Sequence, residues 1–401
     1  MTPPASRLPI APVLAVTTST QALTTLGALA LAAVAPKAAA ELGLSAALIG
    51  YQVAVVYAGA MAAAVFGGAL ARRLGATRLH QWGLWLVAAG CALSALGTLA
   101  AIALGAWVIG LGYGVTNPAA SQLLARAPVA RNMNLIFSLK QSSVPIGGIL
   151  AGALVPPIAL ALGWQAALLA AASLMIAFSV AIGAVGRAWD ADRDAQAPLL
   201  GAPLAAVALV WRHTILRWVA LASFAYSAVQ LCLTGFLVTY LVTELKLSLV
   251  LAGTLLSTTN AAGALGRLVW GWLADRLRSG SAALLVNGAL AIVGALATAA
   301  AAAHWPVALV GAAAALFGFS AMGWNGVFIA VVARQSPPEK IASATGGALA
   351  VTYAGVLVGP SLFAVLHQHS GLSFGQSYGL LALVTAAGIA CVAQARRASR
   401  R

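Results

Sequence analysis

The chain of 401 residues is 62% hydrophobic and 7% charged, with a mean hydropathy of +0.97. Soluble globular proteins carry about 25% charged residues, so this is the sequence of a polytopic membrane protein. Its formal charge of +15 would point to nucleic acid only if the basic residues clustered on a water-exposed surface; they fall between apolar runs, which excludes that partner.

A helix needs roughly 20 apolar residues to cross the hydrocarbon, and twelve runs meet that length. In chain order the first six begin near Ala11, Ala46, His80, Ile102, Asn134 and Trp164. The first reaches Pro36, too long for a signal-peptide core and without a convincing cleavage site, so it is expected as a span of a mature chain that begins at Met1. From Arg187 to about Ile215 the pattern lapses, and this stretch carries Asp190, Asp192 and Asp194, three of only seven acids. A second set of six runs begins near Leu216, Ser248, Ser281, Pro306, Ala342 and Gly375. The fold class expected is an all-α membrane protein of twelve transmembrane helices. Residues 1–187 form an N-terminal six-helix bundle, 188–215 a cytoplasmic linker and 216–401 a C-terminal six-helix bundle. Cys91, Cys232 and Cys391 lie inside the runs and read as small buried residues, with no disulfide framework.

The loops set the orientation. With the first span running outward, Arg7, Arg72, Arg73, Arg78, Arg126 and Arg131 fall on the cytoplasmic side. So do Arg187, Arg193, Arg212 and Arg217, and later Arg276, Arg278, Arg334, Lys340 and the tail RRASRR. Only Lys37 and Lys246 face the other side. The positive-inside rule then predicts both termini in the cytoplasm, in a multi-pass protein of the cell inner (cytoplasmic) membrane.

The two sets of runs repeat one another, as the halves of secondary transporters do. ELGLSAALIG (41–50) matches ELKLSLVLAG (244–253), and GALARRL (68–74) matches GWLADRL (271–277), both at an offset of 203 residues. Glu41 with Glu244 is the informative pair, because acids are so rare here. Asn117 and Arg126 pair with Asn325 and Arg334 at an offset of 208, and Gly148 and Gly152 with Gly355 and Gly359 at 207.

On this six-plus-six arrangement and on the loops after spans 2 and 8, the chain resembles the major facilitator superfamily over essentially its whole length. In that family these loops carry a Gly-x-Leu-Ala-Asp-Arg-x-Gly pattern, whose Asp caps a neighbouring helix and whose Arg pairs locally, helping to close the cytoplasmic side. Gly271, Leu273, Ala274, Asp275 and Arg276 fit it in the second half, and Gly68, Leu70, Ala71, Arg73 and Gly75 in the first. The resemblance thus implies a gate built from Asp275, Arg276 and Arg73. Arg72 stands where the first-half Asp should be, and a cation cannot favour a helix N-terminus as an anion does. The first-half latch must be weaker or built otherwise.

A charge inside a span costs roughly 2.5 to 3.5 kcal/mol on insertion scales, so each is a functional hypothesis. Lys140 lies roughly 13 Å beyond Arg131 along a helix, and Arg267 roughly 12 Å before Asp275; no acid lies at comparable depth in the sequence. Lys140 can snorkel toward cytoplasmic water, and Arg267 can serve as a gate contact. In the fold that the resemblance implies, helices 5 and 8 face each other, so the two cations would border one cavity and hold an anion. The segment NAAGALGRLVWGWLADRL (260–277) is similar to the helix 8 region of monocarboxylate transporters and oxalate:formate antiporters, where an Arg four residues before a Gly binds substrate carboxylate. Arg267 and Gly271 match that spacing. Monocarboxylate transporters place a proton-carrying acid four residues before the Arg, and here that position is Gly263, which excludes proton symport through it.

Beside Lys140, the residues Gln141, Ser142 and Ser143 extend a polar patch, and Gly147, Gly148 and Gly152 permit close helix packing. Polar residues at helical spacing, among them Gln21, Tyr226 and Gln230, line the cavity or serve as helix-packing hydrogen bonds. Asn117, Asn260, Asn325 and Tyr353 belong to the same group. His80, His213, His304, His367 and His369 fall near span ends or loops and read as solvated or interfacial, and Trp82, Trp164 and Trp305 as interface anchors. Coupling stays open between facilitated diffusion, anion exchange and cotransport of a proton carried on the substrate or on Lys140.

No phosphate-binding glycine loop, metal cluster or nucleophile with its base is visible. No enzyme activity, cofactor or metal is therefore expected. The expected function is secondary active or facilitative transport of a small organic anion, a mono- or dicarboxylate, by alternating access. The partners are that anionic substrate and the lipid bilayer, with the chain as a monomer. The family's antiporter motif in helix 5, Gly-Pro followed by Gly-Gly, is half present in SVPIGG, with Pro145, Gly147 and Gly148. The alternative is accordingly export of drugs or of neutral or other metabolites, with Lys140 and Arg267 as gate residues.

Overall fold

The computed structural model describes residues 8–43, 46–127, 132–191, 193–199 and 202–399. Arg7, Arg131 and Asp192, Leu44 and Ser45 of the first repeat segment, and the last two arginines of the tail lie outside the described residues.

Among the described residues the secondary structure is helical throughout. The first set of spans comprises α1 (Ile10–Ala33), a short α2 (Ala35–Leu42), α3 (Ala46–Leu74), α4 (Ala76–Ser94), α5 (Leu99–Ala125), α6 (Met133–Gln141), α7 (Ser143–Leu162) and α8 (Trp164–Trp189). The linker holds one helix, α9 (Ala202–Arg212), which the composition did not announce. The second set comprises α10 (Thr214–Thr243), α11 (Leu249–Arg276), α12 (Gly280–Ala299), α13 (Val307–Ala321), α14 (Asn325–Arg334), α15 (Ile341–Ser370) and α16 (Phe374–Ala398). Taking α6 with α7, α13 with α14, and α15 with the 3-10 turn Pro338–Lys340 as single spans, ten helices are long and apolar enough to cross a membrane by length and composition. The other two expected spans, α4 and α11, are helical but more polar, with Arg78, His80 and Gln81 early in α4 and Ser257 to Asn260, Arg267 and Asp275 in α11.

Local chemistry sets the ends. Thr98, Ser248, Ser279 and Ser373 accept from backbone N–H groups in the first turns of α5, α11, α12 and α16, each replacing a donor's lost partner. The break between α6 and α7 follows from Pro145, which has no N–H to give the carbonyl four residues back, that of Gln141. Ser142 tightens the turn, its N–H reaching the Ser138 carbonyl at 3.0 Å and that of Leu139 at 3.2 Å.

Two compact units emerge, and they do not follow the sequence halves. The first gathers the described residues of Met1–Ala130, Ser143–Val210 and Ser336–Ala350. In it α5 packs between α3 and α4, and α1 lies on α7. The second gathers Arg131–Ser142, Trp211–Gln335 and Val351–Arg401, with α16 against α10 and α12, and α11 on α13. Its apolar core surrounds Leu237, Tyr240, Phe317, Phe363 and Tyr378. Thus α6 belongs with the second set of spans, and the first turns of α15 with the first set.

Three sequence expectations are corrected. His80 and Trp164 are fully buried, not interfacial; the Trp164 indole donates to Glu41 at 2.8 Å, so the end of a span is here a packed polar contact. His213 is half-buried and caps α10. Cys91 and Cys232 are buried, but Cys391 only partly.

Candidate functional site

In unit 2, α6 lies along α11 in an antiparallel ladder, one turn per rung. On the first rung the Asp275 carboxylate accepts from the Asn134 side chain at 2.7 Å, the Asn134 N–H at 3.2 Å and the Leu135 N–H at 2.8 Å. The two N–H groups are orphan donors of the first turn of α6, where an anion also meets the favourable end of the helix dipole. Arg334 completes the rung as an ion pair at 3.4 Å. On the second, Gly271 meets Ser138, and a Cβ on that glycine would stand 2.6 Å from the serine Cβ. Gly326 presses on Ser138 from α14.

The third rung is Arg267 with Gln141. The guanidinium donates from Nη1 to the Gln141 main-chain carbonyl, the one Pro145 leaves without its helical donor. Its Nε donates to the Met322 carbonyl at 3.2 Å, in the break between α13 and α14. Lys140 donates from Nζ to the Gln141 side-chain carbonyl at 3.1 Å. Lys140 is 1% and Arg267 4% exposed, so two buried cations meet on one glutamine, and Arg267 ties two helix breaks together. Non-helical backbone at such depth persists in membrane transporters where it is buried in protein or lines a cavity.

Unit 1 carries the same ladder with no charge on its third rung. Arg72 donates to the Glu339 carbonyl at 3.4 Å, Gly68 meets Ser343, and Gly346 meets the Ala64 carbonyl. Arg72, Gly68 and Ala64 are the repeat partners of Asp275, Gly271 and Arg267 at the offset of 203 residues. Only the outer rungs differ: a cation on a carbonyl replaces the capping carboxylate, and Ala64 with Gly346 replaces Arg267 with Gln141.

The remaining expected residues are spread out. In unit 2 the Asn325 amide donates to Gln230 at 3.0 Å. Tyr226 donates to the Leu284 carbonyl at 3.2 Å and sets its ring edge-on to Trp324, a helix-packing role. Ser142 donates back to Ser138, Tyr353 is buried, and Asn260 is exposed, bonded to its own helix at Leu256. In unit 1 Gln21 accepts from Thr116 at 2.8 Å and Asn117 is buried. Arg73 is exposed, and Arg276 stacks over Trp272 at 5.6 Å.

Sequence reasoning missed Ser138, its counterpart Ser343, and Asp190. Asp190, at the end of α8, accepts from the Thr77 and Arg78 N–H groups at 2.8 and 2.9 Å, capping α4 as Asp275 caps α6. Its signal was the rarity of acids, which singled out the pair Glu41 and Glu244: Glu41 holds the first residue of α8, and Glu244 accepts from the Phe374 and Gly375 N–H groups at the start of α16. Among the described residues no cluster of three or more His, Cys, Asp or Glu is arranged to hold a metal.

Residues 17–360 match the family model described as Major Facilitator Superfamily. No curated protein sequence matches the chain. Among solved structures it is similar to FucP, a Major Facilitator Superfamily transporter in the outward conformation, at 18% identity and a TM-score of 0.74 over 94% of this chain and 97% of that one. It is similar to the human organic anion transporter MFSD10 at 15% identity and a TM-score of 0.78, covering 96% and 100%. A bacterial homologue of the iron transporter ferroportin, in an outward-facing state, gives 16% identity and a TM-score of 0.75, covering 97% and 100%. At these identities the likeness is one of fold.

Proposed function

The chain belongs to the major facilitator superfamily, a family of secondary transporters and not of enzymes, and from that premise we propose that it carries a small organic anion, a mono- or dicarboxylate, by alternating access. The observation that supports this reading is the contrast between the two ladders. Unit 1 closes its third rung with Ala64 and Gly346, so packing two helices at this place needs no charge. Unit 2 buries Lys140 and Arg267 on one residue instead. Two like charges so placed favour an anion beside them, and a guanidinium offers a carboxylate a bidentate fork. The spacing of Arg267 and Gly271 adds the likeness to the monocarboxylate and oxalate:formate branch, and one of the similar folds is that of an organic anion transporter.

The test is anion uptake and counterflow in proteoliposomes by Lys140→Ala, Arg267→Ala and Arg267→Lys, with folding checked alongside. Loss of either cation should cost about 2 to 5 kcal/mol, as for one member of a desolvated charge pair. Arg267→Lys should also lose affinity, since an ammonium has no fork. Normal transport by Lys140→Ala alone would make the lysine only a packing partner of Gln141; normal transport by both alanine variants would overturn the anion reading.

One observation favours the second reading, export of drugs or neutral metabolites. Two acceptors of Arg267 are main-chain carbonyls at helix breaks, which is what a clamp that fixes α6 to α11 and α13 would do. Under that reading the alanine variants would unsettle the gate and leave anion binding untouched.

Asp275 is assigned to the cytoplasmic gate, with Arg276 and Arg73 as accessory charges. The arginine asymmetry of the loops supports placing both termini and the linker in the cytoplasm of a cell whose inner membrane holds the protein. Cysteines placed at the exposed Ala195 and Ser370 should react with an impermeant reagent from opposite sides; reaction of both from one side would reverse the assignment.

A further inference from the structure

We propose that unit 2 holds the phosphate group of an anionic membrane lipid where α10 begins and α16 ends. A cavity of about 690 Å³ opens there, lined by Arg212, His213, Thr214, Trp218, Gln394 and Arg397, and its size falls in the range of about 300–1,000 Å³ typical of small-ligand sites. Its polar wall is dominated by donors. The two guanidiniums and the Gln394 amide can give hydrogen bonds, and among the described residues no carboxylate lines the space. His213 adds another, because its Nδ1 accepts from the Leu216 N–H at 3.4 Å, which leaves the proton of a neutral ring on Nε2. Such a set suits an oxyanion, and paired guanidinium forks match the oxygens of a phosphate.

The other wall decides between a lipid and a free anion. Ile215 and Ala398 are apolar, and Trp218 lies under the Arg217 guanidinium at 5.5 Å, the pairing of ring and cation found at headgroup level. Free phosphate would leave this wall unused. A phosphodiester carrying acyl chains covers both walls at once. The same end bears Arg396 beside the lining residues, adding to the attraction of an anionic leaflet. None of these residues belongs to the Lys140 and Arg267 locus, so the site stands apart from the transport reading.

Native mass spectrometry of the delipidated full-length protein tests it, with phosphatidylglycerol, phosphatidylcholine and inorganic phosphate each titrated in turn. Phosphatidylglycerol should bind in preference to phosphatidylcholine. Arg212→Gln with Arg397→Gln should weaken it about tenfold or more, and each single change about fivefold. Both arginines are exposed, so the melting temperature should hold. Arg396→Gln, outside the lining, should weaken it less than either single change. Unchanged binding by the double variant, or equal retention of phosphatidylcholine, overturns the proposal. Displacement of the lipid by millimolar inorganic phosphate overturns its assignment to a lipid.

Discussion

Gly75 and Asp190 show how one residue fixes another. Gly75 precedes α4 with φ of 96°, a conformation that strains a side chain, and a Cβ there would sit 2.5 Å from that of Asp190. The carboxylate occupies the vacant volume and reaches two N–H groups of α4 from it. Asp190→Ala should therefore destabilise the protein by about 1 to 3 kcal/mol per orphaned donor, read as a lower melting temperature in detergent. Asp194→Ala, whose carboxylate accepts from exposed Gln196, should change it little. Lys140 and Arg267 were legible from the sequence because charge in an apolar run is conspicuous. Asp190 was not, because a polar linker makes an acid look solvated, and His80 and Trp164 were misplaced because distance from a span end says nothing about which neighbours cover a side chain.

All twelve runs are helical in the structure and ten are long and apolar enough to cross a membrane, since the backbone must satisfy itself inside lipid. What the runs could not give was the break in the fifth span, because Pro145 acts four residues before itself, on a carbonyl that another helix then takes up. The ladders were hidden for a related reason: their rungs are glycines and a serine, cheap matches in this composition, and they become informative only when Gly271 and Gly68 are seen each to face a serine. Asp275→Asn should loosen the first turn of α6, since a neutral amide offers one acceptor oxygen where the carboxylate offers two. Hydrogen exchange at the Asn134 and Leu135 amides should speed up by more than for Arg72→Ala, which touches only unit 1. Equal acceleration by the two changes would mean that the ladders act alike.

For the molecule as a whole, the division into bundles of 1–187 and 216–401 is a proposal. The fifth span of the first half lends its opening turns to unit 2, and the eleventh span lends its opening turns to unit 1. The halves expressed as separate chains should therefore associate and copurify. Removing 131–142 from the first should abolish that association more completely than removing the linker residues 188–215; the reverse order would show that the linker, and not the lent segments, joins them. The exchange also bears on descent. A lone six-span ancestor with these rung residues on its second and fifth spans could complete neither ladder by itself, but two copies could complete both, each giving an arm and receiving one. Gene fusion would then have sealed an existing homodimer, after which the two arms were free to diverge, one keeping its glycine packing and the other acquiring Lys140, Gln141 and the proline that takes the helical donor from the Gln141 carbonyl.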